Sequence, residues 1–177
     1  MDVKTLCLGV LTMGEASGYD IRQYFEKGPF SHFCQAGYGS IYPALAKALD
    51  EGLVTCRTES QGGRPDKKMY TITETGEAHL KARLHQPLTP DRIRSDYLVS
   101  FLFGGMIEPE HLAKVYDDYH KAFADNAALL SSLECDGVSP GRMFVRELGI
   151  TMYSSVAKHL SDNREQFLTS VHSGEKS

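Results

Sequence analysis

Apolar residues recur at helical spacing from the start of the chain. Val3, Leu6, Cys7, Val10 and Leu11 predict an amphipathic helix over residues 3–13. Residues 14–17 interrupt it, and Ser17 with Asp20 three positions on has the form of a capping box. The second helix it opens carries Ile21, Tyr24 and Phe25 on one face and stops at Gly28-Pro29. After an irregular stretch over 30–39, a third helix is expected from about Ser40, with Ile41, Leu45, Ala48 and Leu49 facing inward. Pro43 fits its first turn, where an amide N–H has no intrahelical partner to lose. Gly52 stands where a left-handed residue would close the helix, and Leu53 supplies the apolar contact of a Schellman ending.

The period then changes. Residues 53–58 and 67–73 are rich in β-branched and aromatic positions and flank the turn-forming stretch 59–66, which predicts a β-hairpin with a long tip. A fourth helix follows over 74–85. Three helices feeding straight into a hairpin is the order of a winged helix-turn-helix. Gln86-Pro87-Leu88-Thr89-Pro90 reads as a linker, and the rest is helical: residues 91–105, 109–133 and 140 to about 170. The expected fold is therefore mainly α with a two-stranded β-wing: a winged helix-turn-helix over 1–86 and a helical dimerisation region over 91–172. The polar tail 173–177 is expected to fray. Leu112, Val115, Tyr119, Asn126, Leu129 and Leu133 follow a heptad-like seam, as a homodimer interface requires. Asn126 either fixes register there or sits at the solvent edge.

Composition narrows the function. With 177 residues, 41% hydrophobic and 24% charged, the chain has the make-up of a globular protein, not a disordered one. The net charge of −4 argues, at face value, against a nucleic-acid binder. Its distribution reverses that argument. Residues 1–86 hold 10 basic and 10 acidic side chains, and the remainder holds 9 against 13. On the hairpin, Arg57, Arg64, Lys67 and Lys68 outweigh Glu59 and Asp66 by two charges. Screening over roughly 8–10 Å makes such a local patch what a phosphate feels.

Catalytic arrangements are missing from the sequence. There is no Gly-x-Ser-x-Gly elbow or P-loop, and the adjacent Asp117 and Asp118 would point about 100° apart on a helix. The four cysteines and seven histidines are scattered without ligand spacing, so no metal or cofactor is expected, and the cysteines read as reduced thiols. The longest uncharged apolar stretch, 97–107, is far short of the ~20 residues of a membrane span. No signal peptide is evident, and a cytoplasmic protein is expected.

On the third helix the outward face presents Pro43, Ala46, Lys47 and Asp50, flanked by Ser40 and Tyr42. That helix lacks Arg, Asn and Gln, so direct base contacts fall to Gln35, Tyr38 and Ser40 near its start or to Lys47. An ordinary surface helix is the alternative. Arg64, Lys67 and Lys68 suit a wing that reaches phosphate or the minor groove. In the second half Tyr97, Phe101, Met152 and Tyr153 are candidates to line a pocket for an apolar ligand, against plain core packing.

The runs Ser17-Gly18-Tyr19-Asp20-Ile21, Tyr38-Gly39-Ser40-Ile41-Tyr42-Pro43-Ala44-Leu45, Glu51-Gly52-Leu53-Val54, Gly63-Arg64-Pro65-Asp66-Lys67-Lys68 and Tyr70-Thr71-Ile72-Thr73-Glu74-Thr75-Gly76 resemble the PadR family of bacterial transcription regulators. The resemblance covers nearly all of residues 5–80. In length and in its helical second half the chain resembles the longer members, among them virulence-gene activators of the AphA type. The resemblance implies a homodimer that binds pseudo-palindromic double-stranded operator DNA and, in several members, responds to small aromatic ligands. It places Tyr38, Ser40, Tyr42 and Lys47 on the recognition element and Arg64, Lys67 and Lys68 on the wing. It implies packing or phosphate contacts for Tyr19 and Tyr70. The competing class is a winged helix used as a protein–protein docking surface, which has no need of the three wing cations.

Overall fold

Asp2 opens the first helix: its carboxylate accepts from the Thr5 amide at 2.8 Å and the Thr5 hydroxyl at 2.7 Å. The computed structural model describes residues 1–32, 38–61, 64–134 and 137–173. It forms two compact units, Met1–Pro90 and Asp91–Ser177. The first contains α1 (Val3–Leu11), β1 (Ala16–Ser17), α2 (Gly18–Glu26), a 3₁₀ turn (Pro29–His32), α3 (Tyr38–Asp50), β2 (Val54–Gln61), β3 (Arg64–Ile72) and α4 (Glu74–Leu84). Its core joins Cys7, Leu8 and Leu11 of α1 to Ile21 and Phe25 of α2, Ile41, Leu45 and Ala48 of α3, and Leu53, Val54 and Tyr70 of the hairpin. Burial pushes the Cys7 thiol up to about 12, so it is an inert core residue. Cys34 and Cys135 lie outside the described residues.

The hairpin differs from expectation in two ways. Its strands run further toward the tip, pairing from Val54↔Ile72 to Gln61↔Arg64 with an irregularity between Glu59 and Gln61. Its β3 edge is also covered by β1, through Ala16↔Tyr70 and Ser17↔Met69, giving the order β1-β3-β2. A two-residue strand leaves no period in a sequence, which is why the wing read as two-stranded.

Helix α3 starts at Tyr38, so Pro43 lies in its second turn and not its first. The Gly39 carbonyl thereby lacks its intrahelical donor, a cost that exposure to water limits because Gly39 is exposed. Leu49, expected inside, is 42% exposed; at about 100° per residue it falls to one side of the stripe made by Ile41, Leu45 and Ala48. The helix ends as its sequence indicates. Gly52 has φ +68°, its amide donates to Leu49 O at 3.0 Å, and the Leu53 amide donates to Ala48 O at 2.8 Å. Thr73 docks on this turn: its hydroxyl donates to Gly52 O at 2.9 Å and its amide to Leu53 O at 3.1 Å, while Thr73 Oγ1 caps the Gly76 amide of α4 at 3.0 Å.

The second unit contains α5 (Asp96–Leu102), a 3₁₀ turn (Gly104–Met106), α6 (Pro109–Ser132) and α7 (Pro140–His172). Helix α5 is shorter than predicted because Ser95 caps it, accepting from the Leu98 amide at 3.3 Å; residues 91–95 form neither helix nor strand. Helices α6 and α7 pack against each other around buried Leu112, Tyr116, Leu130 and Leu160. The Tyr116 hydroxyl donates to Leu160 O at 2.7 Å, and Arg164 grips Asp117 through two bonds of 2.7 and 2.8 Å. Arg146 of α7 caps the end of α6, donating to the carbonyls of Leu130, Ser131 and Leu133 at 2.7, 2.9 and 3.2 Å. Leu112, placed in the sequence seam, is fully buried within the protomer. Asn126 donates to Ala122 O of its own helix at 2.8 Å.

The junction of α3, the hairpin and α4 gives a stability test. A Cβ on Gly76 would stand 2.0 Å from the Leu53 carbonyl oxygen, a backbone atom that cannot swing away. Gly76→Ala is expected to destabilise the protein by about 2–3 kcal/mol, and Gly52→Ala by about 1–2 kcal/mol through its positive φ alone. Urea unfolding followed by circular dichroism checks both; an unchanged midpoint for Gly76→Ala would contradict the packing described.

Candidate nucleic-acid interface

Ser17 holds two structures at once. Its backbone pairs with Met69 of β3, and its Oγ accepts from the Asp20 amide at 3.1 Å as the cap of α2. Asp20 returns the bond, its Oδ2 accepting from the Ser17 amide at 3.0 Å and the Ser17 hydroxyl at 2.7 Å. The same oxygen receives Lys67 Nζ at 3.1 Å. Burial alone would raise the Asp20 carboxyl, but the bonds from Ser17 and Lys67 outweigh it and hold the group below its ordinary value. One carboxylate thus joins the first turn of α2 to the wing.

With Ile41, Leu45 and Ala48 pinned in the core, α3 exposes Tyr42, Pro43, Ala46 and Lys47. The Tyr42 ring lies on Gly18: a Cβ there would come within 2.6 Å of Tyr42 Cε1. Between α2, α3 and the wing runs a groove of about 700 Å³ lined by Ser17, Gly18, Tyr19, Tyr42, Ala46, Asp66, Lys67, Lys68 and Tyr70. Tyr19 is 59% exposed, whereas Tyr70 is buried, and that burial raises its hydroxyl pKa.

The structure thus brings Tyr42, Lys67 and Lys68 together. Lys68 is exposed and makes no ion pair among the described residues, and Lys67 is held by Asp20. Lys47 is exposed on α3 with Nζ 3.9 Å from Glu51, which also pairs with Lys4. Ser40 is half-buried in the first turn of α3. Gln35 lies outside the described residues, as do the side chains of Tyr38 and Arg64. Arg57, counted in the basic excess of the hairpin, is engaged elsewhere: it donates to Glu15 at 2.8 and 2.6 Å and stands 3.3 Å from Glu59. Sequence reading missed the close approach at Gly18 and the second partner of Asp20. The only signal was a glycine directly after a capping serine.

In the second unit, Tyr97 stacks on Tyr119 at 4.6 Å between ring centroids. Phe101 lies 5.3, 5.6 and 5.4 Å from Tyr116, Tyr119 and Phe167, and Tyr153 lies 5.6 Å from Phe123. Three of the four candidate pocket residues therefore belong to one aromatic cluster. Met152, the fourth, is 60% exposed. Among the described residues, no three His, Cys, Asp or Glu side chains gather as metal ligands, and no helix is long and apolar enough to cross a membrane.

A helix-turn-helix core with α3 as its outward helix, and a hairpin stitched to α2 beside it, define a winged helix protein. The sequence model of the transcriptional regulator PadR-like family matches residues 7–82. Residues 7–82 thus carry a PadR-like transcriptional regulator domain. It is 37% identical over 118 residues to the negative transcriptional regulator PadR of Bacillus subtilis, a match covering 66% of this chain and 64% of that protein's length. The PadR-like regulator BC1756 of Bacillus cereus superposes with a TM-score of 0.80 at 28% identity, over 96% of this chain and 99% of that one. Bacillus subtilis PadR in complex with operator DNA gives 0.73 at 28% identity, over 95% and 98% of the two chains. The same protein in complex with p-coumaric acid gives 0.65 at 27%, over 96% and 98%. The virulence activator AphA of Vibrio cholerae, 18% identical with a TM-score of 0.63 over 97% and 99%, shares the fold.

The depressed pKa of Asp20 makes a signed prediction. Its stabilisation is present above the unfolded value of about 3.9 and is lost as pH falls through the lower folded value. Asp20→Asn should cost about 1 kcal/mol at neutral pH, and the gap to the parent protein should narrow as pH drops below about 4. Urea unfolding of both proteins across this range measures it; a gap that stays constant would show that the carboxylate charge contributes nothing.

Proposed function

We propose that this protein is a sequence-specific transcription regulator that binds double-stranded DNA as a homodimer, with α3 in the major groove and the hairpin along the adjoining backbone. The observation that carries this reading is the α3–wing groove, where exposed Lys68 and the Asp20-held Lys67 flank the outward face of α3. The relative solved on operator DNA, which matches 95% of this chain, supports the same use of the fold. In this reading residues 1–86 bind DNA. Tyr38, Ser40, Tyr42 and Lys47 act from α3 together with Gln35 just before it in sequence, and Arg64, Lys67 and Lys68 act from the wing. The protein acts by binding, not by catalysis, without a metal or cofactor, and it works in the cytoplasm.

Residues 91–172 form the dimerisation region. Leu102, Met106, Phe144, Leu148 and Met152 are 77%, 86%, 66%, 48% and 60% exposed in the isolated chain, apolar side chains that a second copy would cover. A pseudo-palindromic operator follows from the two-fold symmetry of such a dimer, with heads about one helical turn, roughly 34 Å, apart. A small aromatic effector is supported by the relative crystallised with p-coumaric acid, and Tyr97, Phe101, Met152 and Tyr153 are the residues assigned to it.

Salt titration of binding to duplexes selected from the source genome tests this. Lys68→Ala should weaken binding and reduce the log–log salt slope by about one phosphate contact. Arg57→Ala should leave that slope unchanged, because Arg57 is held by Glu15. If Arg64, Lys67 and Lys68 can all be changed to alanine with DNA binding intact, the wing is not what holds the duplex and is free to dock another partner.

A further inference from the structure

The outward face of α3 has an unusual chemistry for a helix meant to read DNA. Its sequence, Tyr38-Gly-Ser-Ile-Tyr-Pro-Ala-Leu-Ala-Lys-Ala-Leu-Asp50, contains no Arg, Asn or Gln. In the major groove, guanine is read by Arg or Lys and adenine by Asn or Gln. Cytosine is read by a carboxylate, and thymine by apolar contact with its C5-methyl group. Tyr42, Pro43 and Ala46 are exposed on α3, and Ala46 shares a face with both of the others, lying four residues after Tyr42 and three after Pro43. Tyr42 and Ala46 themselves line the α3–wing groove. Lys47 stands beside the patch with its ammonium 3.9 Å from Glu51, and the carboxylate of Asp50 is a full turn further along the helix than Ala46.

Two features mark the patch as a built surface. The Tyr42 ring is seated on Gly18, the one residue type at that position that leaves it room. Lys68, and Lys67 with its Asp20 partner, border the same groove together with Asp66, so the apolar strip has ammonium groups along the wing side. A protein partner's apolar surface gives no reason for those cations; a base-pair edge between two phosphate backbones does.

Resting on the proposed reading that this face binds duplex DNA, we infer that α3 selects its operator chiefly through thymine C5-methyl groups. Tyr42, Pro43 and Ala46 form the contact surface, and the lysines position the helix on phosphate. Gly18 is a positioning residue: it sets where the Tyr42 ring lies and touches no base itself.

The test uses the full-length protein and chemically altered DNA, so it does not depend on a variant that must fold. Duplexes are selected from a random library, and each thymine of the tightest one is replaced singly by deoxyuridine, which removes the methyl and keeps the pairing. At one or two thymines per half-site the substitution should weaken binding about three- to tenfold. Ala46→Gly should abolish the penalty at one of them. Gly18→Ala, which favours helix at the first position of α2, should reduce the penalty at the thymine facing Tyr42 by displacing its ring. If a duplex is bound tightly and uridine is neutral at every position, methyl readout is wrong while DNA binding stands. If no duplex is selected, both readings fall together.

Discussion

Everything on the functional face of this protein depends on one joint, the Ser17–Asp20–Lys67 connection. A capping box normally serves only the helix it opens. Here the capping serine is also a strand residue paired with Met69, and the carboxylate of the box also holds a wing lysine. The first turn of α2, the edge of β3 and the base of the wing are therefore fixed to each other by a few short bonds around one buried serine. Gly18 follows directly and leaves room for the Tyr42 ring, which extends the same joint to α3. The placement of the outward helix relative to the hairpin is thus a consequence of local bonding at α2, supported beneath by the Ile21, Ile41 and Leu45 core.

The two units solve different problems. The N-terminal one buries a compact apolar core and closes its corners with caps: Asp2 on α1, Ser17 on α2, the Gly52 turn after α3 and Thr73 on α4. The helical one packs tightly where α6 meets α7, with the Gly149 backbone close against Leu130 and the Tyr116 hydroxyl bonded to Leu160. Much of its remaining apolar surface is left outside, including Leu102, Met106 and Phe144. That division suits a region whose stability is completed by a second copy of the chain.

Local chemistry was legible in the sequence wherever a residue type has one structural use. The capping box, the Schellman glycine and the strand period all read correctly, because each depends on neighbours within a few positions. Contacts that join distant parts of the chain left no such mark. The two-residue strand β1, the Arg57–Glu15 pair and the Arg146 cap on α6 appear only once the chain is folded. Of the candidate site, Tyr42, Lys67 and Lys68 were found by face and charge. The role of Gly18 and the withdrawal of Arg57 from the basic surface were not, because both are set by partners far away in sequence. The net charge of −4 misleads for a related reason: it averages an acidic helical half with a neutral half that places Lys67 and Lys68 side by side at one groove.

In the proposed function the α3–wing groove is the surface that meets duplex DNA. Hydrogen–deuterium exchange of the full chain, with and without a selected duplex, measures this directly. Exchange is expected to slow in α3 and in the wing strands on adding DNA, with α1 and α4 unchanged. Protection confined to α1, α4 or the C-terminal helices, with α3 and the wing exchanging as in the free protein, would contradict it.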